Sequence, residues 1–264
     1  MSGNITANIK SIVDNLENIE WKQTIFEAIT NSLHAGATNV DIKFMSDTLE
    51  YEDIKKKIDE IIVIDNGEGF TLDNTEAFQE YGTQHKKIKL NIGAKGVGRF
   101  LYLKIFNKVY IESLDKEIKF SVENDINVNT LEKVKYDLTK VYFRELKSDF
   151  RVNYDKLKDS IKEHFIAYFK LLKDLNKEVT INIYENDIKE YEIKSNDIPD
   201  FSDKEFNVNG HSFVISYVFN NEEYSFTEGF YCADDRVVIK NSQLDIKKKA
   251  KSFSKYRYSF FIII

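Results

Sequence analysis

One cysteine, Cys232, one proline, Pro199, and one tryptophan, Trp21, stand in 264 residues. A lone cysteine excludes an internal disulfide, and the N-terminus lacks the charged-then-apolar pattern of a leader, so the sequence reads as that of a cytoplasmic protein. Long hydrophobic runs are missing too. The apolar stretch 258–264 is far shorter than the roughly 20 residues a membrane helix needs, so no membrane span is expected; it reads as a β-strand cut at its edge. Neither charge sign dominates: 38 Lys and Arg against 44 Asp and Glu leave a net charge of -6. That balance gives no global electrostatic reason to bind nucleic acid, and the lysine runs at 55–57 and 247–249 read as solvated faces. There is no internal repeat and no low-complexity tract. What is present, 42% hydrophobic and 31% charged residues, suffices for one large core or two modest ones.

Apolar spacing predicts a helix within 5–20 and a second from Trp21 to Leu33, with Ile25, Phe26, Ile29 and Leu33 as its buried face. On that second helix Glu27, Asn31 and His34 fall at i, i+4 and i+7 and share a side. Gly36 ends it. Strands are expected at 39–44 and 60–65, the latter ending in the carboxylate of Asp65. Further strands are expected at 108–113, 117–122, 139–145 and 179–184, and one helix over 154–175. Tyr102, Phe106, Phe165 and Phe169 read as core, as does Cys232 on a strand. The polar stretch 195–205, with Pro199, marks a boundary, followed by a β-rich unit.

Three short segments break the pattern of a plain α+β sandwich. They are Glu27-Ala-Ile-Thr-Asn31-Ser-Leu-His34-Ala35-Gly36, Asp65-Asn-Gly67-Glu-Gly69-Phe70 and Gly93-Ala-Lys95-Gly96-Val97-Gly98-Arg99. Each alone has a bland reading. Glu27 and Asn31 suit a solvated helix side, Asp65-Asn-Gly67 is a common turn, and a lone glycine loop is a weak phosphate signal. His34 has no Cys or His at ligand spacing and reads as a packing residue.

In this order and spacing the three segments resemble the N-box, G1 and G2 boxes of the GHKL, or Bergerat-fold, ATPases. The resemblance implies an α+β fold, a Bergerat α/β sandwich with helices layered on one mixed β-sheet, followed by a smaller β-rich transducer-like unit. It implies an ATP-binding domain over 1–197, an ATP lid over about 71–98 and an incomplete transducer-like domain over 205–264. Roles are implied residue by residue: Glu27 as general base, Asn31 as the Mg2+ ligand, and Asp65 as reader of the adenine amino group on the turn of Gly67, Gly69 and Phe70. Ala35, Gly82, Thr83, Gly93, Lys95, Gly96, Val97, Gly98, Arg99 and Thr139 complete the expected nucleotide contacts. His34 stands where many members carry Asp, and Leu138 where many carry Gly.

The chemistry of these residue types agrees with those roles. Glycine-rich backbone opening a helix presents N–H groups to phosphate oxygens. Magnesium keeps several waters and needs few protein oxygens, so one amide oxygen suffices. A carboxylate one helical turn away can polarise an attacking water. The resemblance further implies an ATPase with ATP and ADP as ligands, and nucleotide-dependent lid closure and homodimerisation. Within the family the layout looks most like stand-alone prokaryotic members, some tied to DNA or to anti-phage defence, with a protein or DNA client on the C-terminal unit. Two other uses of the fold stay open: a sensor or scaffold module with little turnover, and a histidine-kinase-like phosphotransferase.

Overall fold

The computed structural model describes residues 9–46, 58–79, 98–209, 211–219, 228–233, 236–241 and 258–263. The chain forms two compact units, Met1–Lys158 with Thr180–Glu192, and Asp159–Val179 with Ile193–Ile264. In the first unit lie helices α1 (Ile9–Asn15), α2 (Trp21–His34), α3 (Leu72–Gln79) and α4 (Gly98–Ile105). Its strands are β1 (Asn39–Met45), β2 (Glu60–Asp65), β3 (Phe106–Leu114), β4 (Lys116–Ser121), β5 (Asn127–Thr130), β6 (Tyr136–Leu146), β7 (Thr180–Glu185) and β8 (Ile188–Lys194).

These strands make one sheet in the order β5-β4-β3-β6-β2-β1-β7-β8. It is mixed: β1 runs parallel to β7, while β1–β2, β2–β6, β3–β6, β3–β4 and β4–β5 are antiparallel. The fold class is thus α+β, a Bergerat-type layer of helices on a mixed sheet. Side chains alternate across the sheet, and one face is apolar. Val40, Ile42 and Phe44 of β1, Ile61 and Val63 of β2, and Val109 and Ile111 of β3 are all buried. Ile25, Ala28, Ile29 and Leu33 of α2 and Phe100 and Leu103 of α4 cover it. The opposite face carries Tyr110 stacked on its cross-strand partner Tyr142, both hydrogen-bonded to Glu112.

At one end, polar residues interrupt the apolar face. Counting in twos from Ile61 and Val63 places Asp65 on that face, at the very end of β2. In the β2–β6 register Asp65 stands opposite Thr139. Continuing from Val109 and Ile111 places Ser113 there as well. That end of the sheet is therefore open to polar chemistry.

The second unit contains a five-stranded sheet, β12-β11-β13-β10-β9, built from β9 (Ser202–Val208), β10 (His211–Phe219), β11 (Glu228–Ala233), β12 (Arg236–Asn241) and β13 (Tyr258–Ile263). The C-terminal apolar stretch forms a strand as expected, and it lies inside the sheet, antiparallel to β10 and parallel to β11. Cys232 lies on β11. The helix expected over 154–175 is two, α5 (Tyr154–His164) and α6 (Ile166–Asp174), separated by Phe165 at φ -100°, ψ 9°. Phe165 leaves the helical dihedrals while its ring stays buried beside Phe169, so the apolar stripe survives the break. On α6 the buried Lys170 ammonium pairs with Asp174 and Asp203, each at 2.7 Å. Among the described residues no helix is long and apolar enough to cross a membrane.

Candidate functional site

Helix α2 supplies the floor of the site, and both its ends are fixed. At the start, the Glu20 backbone N–H donates to Gln23 Oε1 at 3.0 Å. At the end, Gly36 N–H donates to Leu33 O and Ala37 N–H to Ser32 O, with Gly36 at φ +76°. This is the two-bond Schellman closure, and its left-handed residue is the reason for glycine there.

The loop after α2 is clasped to the turn after β2. Asn66 Oδ1 accepts from the N–H groups of Thr38 and Asn39, both at 2.9 Å, and Asn66 Nδ2 donates to Thr38 Oγ1. The Glu68 N–H donates to Ala35 O at 2.8 Å. Gly67 packs so closely on this loop that a Cβ would fall 2.8 Å from the Ala35 Cβ and from its carbonyl oxygen. Only glycine fits at 67. Gly69, at φ +73°, lies against β3, where a Cβ would meet Ser113 Oγ at 2.6 Å.

Between these two contacts sits Asp65, 5% exposed. Its Oδ2 accepts from Ser32 Oγ at 2.8 Å and its Oδ1 from the Gly67 N–H at 2.9 Å. Burial raises its pKa above the ordinary carboxylate value, and the two hydrogen bonds oppose that rise. Thr139, its neighbour across the sheet, shares a 2.8 Å hydrogen bond with Ser113 Oγ, which also accepts from the Phe70 N–H at 3.0 Å. The Phe70 ring turns to Phe78 of α3, edge to face at 5.1 Å. Asp65, Gly67, Gly69, Phe70, Ala35 and Thr139 are thus brought together, joined by Ser32 and Ser113.

The other half of the site lies further back along α2. Glu27 and Asn31 are linked by a 3.3 Å hydrogen bond from Asn31 Nδ2 to Glu27 Oε1. The same Nδ2 lies 2.8 Å from the hydroxyl of Tyr102 on α4. Gly98, the first residue of α4, abuts Glu27 so tightly that a Cβ would fall 1.9 Å from Glu27 Oε1. Arg99 points inward. Its guanidinium lies over the rings of Phe100 at 4.6 Å and Phe78 at 5.1 Å, and burial lowers its pKa to about 10. Gly82, Thr83, Gly93, Lys95, Gly96 and Val97 lie outside the described residues, as does the expected lid apart from residues 71–79 and Gly98.

Four participants escape the sequence reading. Ser32 and Ser113 continue buried stripes on α2 and β3, so each polar atom on an apolar face implied a partner. Tyr102 is core by its ring, 3% exposed, but a buried phenol needs a partner for its hydroxyl. Asn66 reads as ordinary turn chemistry, and nothing local marks its bonds to residues 38 and 39.

The sequence pattern described as histidine kinase-, DNA gyrase B- and HSP90-like ATPase matches residues 19–160, which contain every described residue of this site. The chain belongs to this ATPase family. Among solved structures, the Aquifex aeolicus MutL ATPase domain complexed with ADP is similar to this family member at 14% identity and a TM-score of 0.48, over 94% of this chain and 93% of that one. No curated protein matches this ATPase-family chain.

Proposed function

We propose that the protein binds ATP with Mg2+ and hydrolyses it, using the nucleotide to switch between an open and a closed, dimeric form. Family membership supports the class. The observation that carries the reading is the pairing, on one helix, of a base end and a phosphate end: Ser32 holds the buried Asp65, and Glu27 with Asn31 faces the start of α4. Asp65 accepts the adenine amino group, with Thr139 and the Gly67 backbone beside it. The G2 segment, 93–99, binds the phosphates.

Asn31 fits a divalent cation by the chemistry of its donor set, because its Nδ2 is committed to Glu27 and its carbonyl oxygen is the edge that a hard cation prefers. Mg2+ bound there neutralises charge on the phosphate oxygens. Glu27 accepts a proton from the attacking water; the new bond forms between water oxygen and the γ-phosphorus, and the bond to the ADP oxygen breaks. The nucleotide-binding task is assigned to 1–197 and the transducer-like task to 205–264, the unit to which a protein or DNA client would bind. Lid closure requires tighter binding of nucleotide to the closed form.

Gly98→Ala probes the phosphate end directly. The inserted methyl displaces the flexible end of Glu27 rather than backbone, so the fold survives while the carboxylate moves. Phosphate release is expected to fall about 100-fold, the lower range for loss of a general base. At saturating nucleotide, where a change in phosphate binding by the G2 segment does not limit the rate, adding Gly98→Ala to a Glu27→Ala background is expected to cost little more. Rates on the single and double variants check this.

The reading as a whole is tested on the parent chain by Mg2+-dependent ATP binding, phosphate release, and molecular mass with and without a non-hydrolysable analogue. Binding, release and an analogue-dependent dimer support the switch. Binding without release leaves a sensor module, and a stable phosphoprotein moves the chain to the phosphotransferases.

A further inference from the structure

Asn31 is held at its amide by two groups of different chemistry. A carboxylate only accepts, so the edge that Asn31 turns to Glu27 Oε1 at 3.3 Å is the NH2 edge. The Tyr102 hydroxyl, 2.8 Å from the same nitrogen, then accepts the second N–H. Two acceptors on Nδ2 leave the amide one orientation, with Oδ1 directed away from both.

We infer that Tyr102 is a positioning residue that locks the Asn31 amide with its oxygen presented to the divalent cation. This rests on the proposed ATPase function and adds a residue to it. Packing alone does not explain the hydroxyl: the Tyr102 ring lies edge-on to Phe143 at 4.8 Å, and phenylalanine would fill the same space. A hydroxyl in such a core is costly unless it is hydrogen-bonded, and Asn31 supplies that bond. Tyr102 also stands one helical turn after Gly98, on the helix whose first residue touches Glu27. A shift of α4 therefore reaches the cation ligand and the base together.

The test is calorimetric titration of a non-hydrolysable ATP analogue, in Mg2+ and in EDTA, on the parent, Tyr102→Phe, Asn31→Asp and the double variant. The parent is expected to bind more tightly with Mg2+. Tyr102→Phe is expected to keep its EDTA affinity within about twofold and to lose about tenfold of the Mg2+-dependent gain, the usual cost of removing a group that orients a metal ligand. Aspartate at 31 offers two equivalent oxygens, so orientation no longer matters. In that background Tyr102→Phe is expected to change the Mg2+ gain by less than about twofold. An equal loss in Mg2+ and EDTA, an unchanged gain, or the same loss in the Asn31→Asp background overturns the inference and leaves Tyr102 a packing residue. A parent that binds the analogue in neither buffer overturns the ATPase reading, and the inference falls with it.

Discussion

Asp65→Asn is expected to weaken adenine-nucleotide binding by about 100-fold or more while the unliganded protein melts at or above the temperature of the parent. The loss of binding comes from the direction of donation. A site arranged to accept from an amino group rejects strongly once its acceptor is replaced by a donor, because two N–H groups then face each other without partners. The stability comes from burial. The folded-state pKa of Asp65 is raised above the ordinary carboxylate value, so the folded chain binds the proton more tightly than the unfolded chain does. Stability from this group is therefore full below the unfolded pKa and is lost as pH rises through the folded one. Above the folded-state pKa the ionised carboxylate is a burden that asparagine removes. The amide keeps both local bonds, with Oδ1 accepting from Gly67 and Nδ2 donating to Ser32, whose hydroxyl can reverse its role. Calorimetric titration and thermal melts from about pH 3 to neutrality check both halves, and the gap in melting temperature should close toward the acid end. Binding at parental affinity would remove Asp65 from the adenine site. A lowered melting temperature would instead mean that the pocket collapses without the charge.

Glu27→Ala is expected to separate binding from turnover. Phosphate release should fall by about 10²–10⁴, the range for loss of a positioned general base, while analogue affinity stays within about threefold of the parent. Glu27 is half-buried, contacts Gly98 through its carboxylate and accepts one bond from Asn31. Truncation thus removes no large apolar contact. Single-turnover phosphate release beside equilibrium titration distinguishes a slow chemical step from lost affinity. Release at the parental rate would mean that another group orients the water.

The first unit's helices and the sheet's polar end are legible to very different degrees from the chain alone. Spacing on α2 places Glu27 and Asn31 on one side, and strand alternation puts Asp65 at a strand end, because both are consequences of local periodicity. Opposition of Asp65 to Thr139 is a fact of register between strands far apart in sequence, and no local pattern encodes it. The hydroxyls of Ser32 and Ser113 have their partners on other elements, so their roles emerge only when those elements pack. Strands β5, β8 and β9 escape a sequence reading because their side chains are mostly solvated and give no buried alternation to read. The break at Phe165 is invisible there too, since both halves of the helix keep their apolar positions. Position of β13 inside its sheet is likewise topological, a matter of which neighbours it finds.

The clasp of Asn66, Gly67 and Ala35 at one end of α2, and the contact of Glu27 with Gly98 nearer the other, give that helix a second property. With about 1.5 Å of rise per residue, eight residues from Glu27 to Ala35 measure about 12 Å. Because a folded helix neither stretches nor shortens, this length acts as a ruler between the clasp beside Asp65 and the contact of Glu27 with Gly98. Inserting one residue between Glu27 and Ser32 would turn the two ends by about 100° relative to each other. Asp65 would keep its hold on Ser32 while Glu27 swung away from α4, and a ligand of unchanged length could no longer engage both.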